Sequence, residues 1–363
     1  MSIDAGGRLP FVEIAGAPYD VGAALGRRAA EIANRYLVRT HAWASVMSFR
    51  HDPRLAVARR LVETRFPRYW QELQGLAAGL GLPFDDVFAW NSRGDVWAMA
   101  PDGCTTVQLP GPSHILAHNE DGHAGLRPGC ALAHIRSAGG TPFTAFVYPA
   151  SLPGHSFAVT EAGLVQTVNN VRSQRAGDGL PRMVLARAVL DCAGLDEAVD
   201  LLSRAERAGG FHLGLAKAGD ARLLSVEFTH ATCSVETVAQ PRCHANHLIH
   251  ARTRDEEQVV TDSSRARQER GTEMLAAMAG HGGSEALAIL RDQARPALPI
   301  HRDQPDDPDD ENTLATALFE IAPDRVAWRV YDRRGEPPRF AAASGLVPGP
   351  EAASPAPDLL QVR

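Results

Sequence analysis

Apolar residues recur at intervals of three and four through the first part of the chain, then alternate within short runs bounded by Gly, Pro or Asn. The first rhythm predicts helices and the second predicts strands, and the change falls near residue 103. Val21, Ala24, Leu25, Ile32 and Leu37 lie on one helical face behind Asp20, a capping residue type. Asp52-Pro53 opens a second helix, since proline in a first turn forfeits no hydrogen bond. Pro67 starts a third, with Leu73, Leu76 and Ala77 inward and an end near Gly79. Leu82-Pro83-Phe84-Asp85-Asp86 begins a fourth that runs through Trp97.

Residues 105–109, 115–119, 131–137, 144–148, 156–160 and 164–169 read as successive antiparallel strands. Helices are expected at 182–191 and 196–208, strands within 212–238, helices at 263–279 and 284–291, and strands at 315–321 and 326–331. Such blocks predict an α+β fold with two sheets between helical layers. The expected division is a helical N-terminal segment 1–103, a core 104–347 and a Pro- and Ala-rich disordered tail 348–363. The acidic, Pro-interrupted stretch 303–311 reads as a solvated loop.

At 363 residues and 44% hydrophobic, the chain has ample material for a large core. A net charge of -6 supplies no basic patch for nucleic acid. No apolar run is long enough to span a membrane, and the first ten residues lack the pattern of a secretory signal. Five cysteines, an odd number without close CxxC spacing, imply reduced thiols and a cytoplasmic protein.

Asp102-Gly103-Cys104-Thr105-Thr106 stands at the change of rhythm. A thiol with a pKa of roughly 8.5 needs a base to become an efficient nucleophile. For a cysteine at a chain start that base is its own α-amine, whose pKa is about 7.7–8.0. While Gly103 is attached, the nitrogen of Cys104 is an amide without basicity. Self-cleavage would create the base: the thiol attacks the Gly103 carbonyl, the chain moves from nitrogen to sulfur, and water hydrolyses the thioester. Glycine offers no side chain to obstruct that attack. The alternative reading of Cys104 is a small buried hydrophobe, as for Cys130, Cys192, Cys233 and Cys243.

Motifs along nearly the whole chain resemble those of the isopenicillin-N acyltransferase family, autoproteolytic N-terminal-nucleophile enzymes. They comprise Gly16-Ala17-Pro18-Tyr19-Asp20-Val21-Gly22 with Gly26, Phe66-Pro67-Arg68-Tyr69-Trp70, and Gly75-Leu76-Ala77-Ala78-Gly79. Asp102-Gly103-Cys104-Thr105-Thr106, Asn119-Glu120-Asp121, Ala162-Gly163-Leu164 through Asn169, Glu227-Phe228 and His244-Ala245-Asn246-His247 follow in the family's order. The resemblance implies a four-layer αββα sandwich and a cut between Gly103 and Cys104. It also implies roles: Asp121 orients the new amine or assists processing, and Asn246 supplies the oxyanion-hole side chain. Asn169, Arg302 and Glu120 are weaker candidates for contact with the substrate. Glu120 stands where the family usually has Trp. Arg302 matches one of two family arginines, and uncharged residues hold the place of the other, so the fungal penicillin reaction is not carried over.

Other readings compete at several positions. Asn119-Glu120-Asp121-Gly122 is also a turn signal. His244, His247 and His250 have a spacing open to metal ligation but lack a second acidic cluster, so no metal site is expected. His118 and His123 read as ordinary histidines, Arg302 as an ion pair with the acidic loop, and Ser263, Ser264 and Arg267 as a helix start capped by Asp262. No Gly-x-Ser-x-Gly elbow is present around residues 151–156. The expected protein is a cofactor-free cysteine amidohydrolase or acyltransferase on a small N-acyl or aminoacyl amide, or a thioester. Its cleaved fragments are expected to stay associated, with no nucleic-acid or membrane partner. An acyl-CoA-dependent N-acyltransferase, a metal-dependent hydrolase and a non-catalytic binding module are the alternatives.

Overall fold

Among the residues described by a computed structural model, 7–101, 103–307 and 309–349, fourteen strands assemble into two sheets. Asp102 and residues 350–363 of the expected tail lie outside the described residues. In chain order the strands are β1 (Phe11–Gly16), β2 (Gly103–Leu109), β3 (His114–Gly122), β4 (Ala131–Ser137), β5 (Phe143–Val147), β6 (Phe157–Thr160) and β7 (Leu164–Asn170). They continue as β8 (Phe211–Lys217), β9 (Leu223–Phe228), β10 (Cys233–Thr237), β11 (Arg242–His244), β12 (Asn312–Ile321), β13 (Val326–Tyr331) and β14 (Phe340–Ala342). The larger sheet has the order β1-β4-β5-β6-β7-β8-β9-β10, and the smaller has β11-β2-β3-β12-β13-β14.

Helices α1 (Pro18–Arg35), α2 (His41–Met47), α3 (Pro53–Arg65), α4 (Pro67–Leu80), α5 (Phe84–Trp90) and α6 (Arg93–Val96) precede β2. Between β7 and β8 come α7 (Arg182–Val189) and α8 (Leu195–Arg204); between β11 and β12 come α9 (Asp262–Ala277) and α10 (Gly283–Leu290). The two sheets face each other, and Thr106 Oγ1 on β2 donates across the gap to Asn169 Oδ1 on β7 at 2.6 Å. On the outside of the smaller sheet, Val107, Leu109, Ile115 and Ala117 pack against Ala286, Leu287, Ile289 and Leu290 of α10. On the outside of the larger sheet, Gln166 Nε2 of β7 donates to the Ala186 carbonyl of α7 at 3.1 Å. Helix, sheet, sheet and helix succeed one another as the expected αββα sandwich.

The N-terminal segment departs from its helical expectation at residues 11–16, which form β1 parallel to the distant β4. Phe11, Val12 and Ile14 break strict alternation because an edge strand is only half buried, which hid it in the sequence. The fourth helix breaks at Asn91 and Ser92 into α5 and α6. Asp20 lies in the first turn of α1, behind Ala17 and Pro18, and Thr261 caps α9 in place of Asp262.

Helices α1 and α4 meet backbone to backbone. A methyl group at Gly22 or Gly26 would collide with the Glu72 or Leu76 carbonyl; at Gly75 or Gly79 it would collide with the Tyr19 or Ala23 carbonyl. Overpacking of this kind costs about 1–3 kcal/mol. Gly75→Ala is therefore expected to lower the denaturant midpoint by that equivalent, and an unchanged midpoint would contradict the close contact.

Candidate active site

Strands β2 and β3 pair with Gly103 opposite Asp121, Cys104 opposite Glu120 and Thr106 opposite His118. Because side chains alternate along a strand, Cys104, Thr106, His118 and Glu120 face the other sheet. Thr105, Asn119 and Asp121 face the outer helices. Asn119 Nδ2 accordingly donates to the Leu290 carbonyl at 2.7 Å, and Arg267 Nη1 of α9 donates to Thr105 Oγ1 at 2.9 Å.

Cys104 is 2% exposed. Its backbone N–H donates to Asn246 Oδ1 at 2.9 Å, and Arg267 Nη2 donates to the same oxygen at 2.6 Å. Arg267 Nη1 also donates to the Cys104 carbonyl. Asn246 Nδ2, the donor an oxyanion-hole role requires, is turned to the Asn170 carbonyl at 3.0 Å. Asn170 Nδ2 holds the Ala100 carbonyl at 3.1 Å, just ahead of the Gly103–Cys104 peptide. Arg267 is buried, which lowers its pKa, and the nearby Asp121 charge opposes that shift.

Asp121 lies within β3, so the turn reading is replaced by a strand position. Its Oδ1 accepts from Thr313 Oγ1 at 2.6 Å, and its Oδ2 has no hydrogen-bond partner among the described residues. Burial raises the pKa of this carboxyl, against the pull of Arg267 and Arg302. Gly103 sits opposite, and a methyl group there would strike the Glu311 carboxylate and crowd Arg302.

Two weaker site expectations change. Arg302 is wrapped by the acidic loop, with Asp307 paired to its guanidinium, Asp309 at 3.0 Å and Glu311 at 2.7 Å. It is an internal ion-pair centre with its donors occupied, and the stretch expected to be solvated folds Asp307 and Glu311 inward around it. Asn169 is a tie between layers: its Oδ1 accepts from Thr106 and from His212 Nδ1 at 2.9 Å, and its Nδ2 donates to the His244 carbonyl at 3.1 Å.

Glu120 lies beside Cys104, with its Oε2 at 4.0 Å from Cys104 Sγ and 3.0 Å from His118 Nε2. His118 Nδ1 is 2.9 Å from Thr106 Oγ1. Burial drives the His118 pKa down to about 3, leaving the ring neutral near pH 7. The other histidines disperse: His244 pairs with Glu227 at 2.8 Å, His247 with Ser264 at 2.8 Å and His250 with Ser225 at 2.8 Å. His123 turns to Tyr36, with Nε2 at 2.8 Å from the hydroxyl.

The family model described as acyl-coenzyme A:6-aminopenicillanic acid acyl-transferase matches residues 109–335, well over half of the chain. The chain belongs to this family. It is an N-terminal-nucleophile hydrolase or acyltransferase acting on amide bonds. The matched span begins after Cys104 and includes Glu120, Asp121, Asn246, Arg267 and Arg302. Among solved structures, a mutant conjugated bile acid hydrolase from Clostridium perfringens is 10% identical with a TM-score of 0.41, covering 64% of this chain and 93% of that one. Penicillin V acylase from Agrobacterium tumefaciens is 16% identical with a TM-score of 0.36, covering 62% and 82%. Among the described residues, no helix is long and apolar enough to cross a membrane.

Three residues of this site escaped sequence reasoning: Asn170, Arg267 and His118. Arg267 had a readable signal, since Ser263, Ser264, Ala266, Arg267 and Gly271 form a buried face of α9 with one cation among small residues. Asn170 gave no such signal, because it meets Asn246 through its backbone carbonyl and its side chain reaches the Ala100 carbonyl, both remote in sequence.

The buried neutral His118 makes stability depend on pH. Its folded pKa, about 3, lies below the unfolded value near 6.5, so this stabilisation is complete above pH 6.5 and is lost as pH falls towards 3. The slope is at most about 1.4 kcal/mol per pH unit. Thermal midpoints are expected to fall between pH 6.5 and 4, and to fall less steeply in His118→Gln; equal slopes would contradict the assignment.

Proposed function

We propose that the protein is a self-cleaving cysteine amidohydrolase whose nucleophile is Cys104. The observation carrying this reading is the clamp on the Cys104 nitrogen by Asn246 Oδ1, itself held by buried Arg267. In the uncut chain that nitrogen is an amide, and Asn246 and Asn170 brace the peptide on either side of the scissile bond. Attack of Sγ on the Gly103 carbonyl forms a C–S bond and breaks the C–N bond, with the thiol proton ending on nitrogen. Water then releases Gly103 as a carboxylate and restores the thiol. The open acceptor Oδ2 of Asp121, opposite Gly103, is suited to receive a hydrogen from the new ammonium.

Once free, the α-amine takes the thiol proton. The thiolate attacks an amide carbonyl, and the oxyanion rests on Asn246 Nδ2 and on backbone N–H groups. The leaving amine takes its proton from the α-ammonium, and the acyl-enzyme passes to water. Water is the less demanding acceptor, because transfer to an amine or from acyl-CoA needs a second pocket that excludes it. The substrate class is a small N-acyl or aminoacyl amide. Fragments 1–103 and 104–363 stay together, a reading supported by β1 in the larger sheet and by a core shared between α1, α4 and β4 to β9. All five cysteines are thiols, which favours a cytoplasmic setting.

Turnover of small N-acyl amides is expected to fall at least about a thousandfold in Cys104→Ala. In Asn246→Ala it is expected to fall about 10²–10³-fold in kcat. Product analysis with and without added amines reads hydrolysis against transfer, and a Cys104→Ala variant with unchanged turnover would refute the thiol mechanism.

A further inference from the structure

We propose that Cys104 Sγ, His118 Nε2 and a Glu120 carboxylate oxygen form a three-ligand zinc site, and that bound zinc holds the nucleophile inactive. These three atoms lie within 4.8 Å of one another, and among the described residues no other three His, Cys, Asp or Glu side chains converge in this way. The site is built by strand register: Cys104 faces Glu120 across the ladder, and His118 lies two residues back on the same face. Zinc takes sulfur at about 2.3 Å and nitrogen or oxygen at about 2.0–2.2 Å, so tetrahedral ligand atoms sit roughly 3.3–3.6 Å apart. Two of the observed separations, 4.0 Å from Sγ to Oε2 and 3.0 Å from Nε2 to Oε2, lie within about half an ångström of these values, and the third pair closes from within 4.8 Å.

The histidine is already in the ligating tautomer. Asn169 Nδ2 donates to the His244 carbonyl, which turns Asn169 Oδ1 towards Thr106. The 2.6 Å contact between that oxygen and Thr106 Oγ1 requires the hydroxyl hydrogen between them. Thr106 Oγ1 is therefore an acceptor towards His118, Nδ1 carries the ring hydrogen, and Nε2 presents its lone pair to Glu120 and Cys104. A ligating histidine commonly has its second nitrogen fixed by an oxygen in this way. Zinc binding displaces the thiol proton and the proton shared by Glu120 and Nε2. Both leave to solvent, and no electrons move. Zinc binding itself stands on geometry alone; its effect on turnover rests on Cys104 being the nucleophile.

The test is titration of the chelator-treated, full-length protein with cobalt(II) and then zinc. One equivalent of cobalt is expected to give a thiolate-to-metal charge-transfer absorption that zinc abolishes and that Cys104→Ser lacks. Thr106→Val, which removes the partner fixing the His118 tautomer, is expected to weaken zinc binding about 10–100-fold. Zinc is expected to stop amide turnover and a chelator to restore it. No charge-transfer band in the wild type, or one that survives in Cys104→Ser, overturns the site. Turnover that requires zinc overturns the inhibitory role. A wild-type band together with full turnover by Cys104→Ala supports the site while refuting the nucleophile.

Discussion

The backbone nitrogen of Cys104 gives its hydrogen to Asn246 Oδ1, and Arg267 holds that same oxygen. In the uncut chain the nitrogen is an amide without basicity, and this one contact fixes the peptide against the sheet. The proposed cleavage would make it an amine, the base beside its own thiol, held by the same oxygen. Asn246 and Arg267 come from outside the β2–β3 hairpin, so the clamp forms only when β11, the loop after it and α9 have packed on the smaller sheet. Chemistry is thereby tied to completion of the fold.

Strand alternation divides the remaining labour. Cys104 and Glu120 lie on the inner face of the smaller sheet, whereas Asp121 lies on the outer face with Thr313. The aspartate addresses the Gly103 side of the peptide, and the glutamate addresses the sulfur. Gly103 has no room for a side chain because Arg302 draws Glu311 into the space beside it. The acidic loop thus shapes the surroundings of Gly103, and Arg302 serves as its anchor.

Legibility in the sequence followed the strength of the local signal. Buried strands such as β7 and β12, and amphipathic helices such as α1 and α8, announce themselves by period. The half-exposed edge strand β1 and the three-residue strands β11 and β14 do not, since pairing with a distant partner creates them. Cys104, Gly103 and Asp121 are singled out in the sequence by their motif, and strand register brings them together at one end of the β2–β3 pair. Asn170 was not legible, because it acts through a hydrogen bond to a group remote in sequence, and Arg267 was readable only as a cation on a face of small residues, its partners on β2 being equally remote. Arg302 was legible as an ion pair, and its burial with Asp307 and Glu311 depended on a loop closing around it.

The proposed chemistry requires the Cys104 nitrogen to become a free amine. Intact mass of freshly purified wild-type protein, with identification of new chain starts, reads this out. Self-cleavage predicts two fragments meeting between Gly103 and Cys104, and a single uncut chain for Cys104→Ala. A fully active wild-type protein that remains one chain would contradict it.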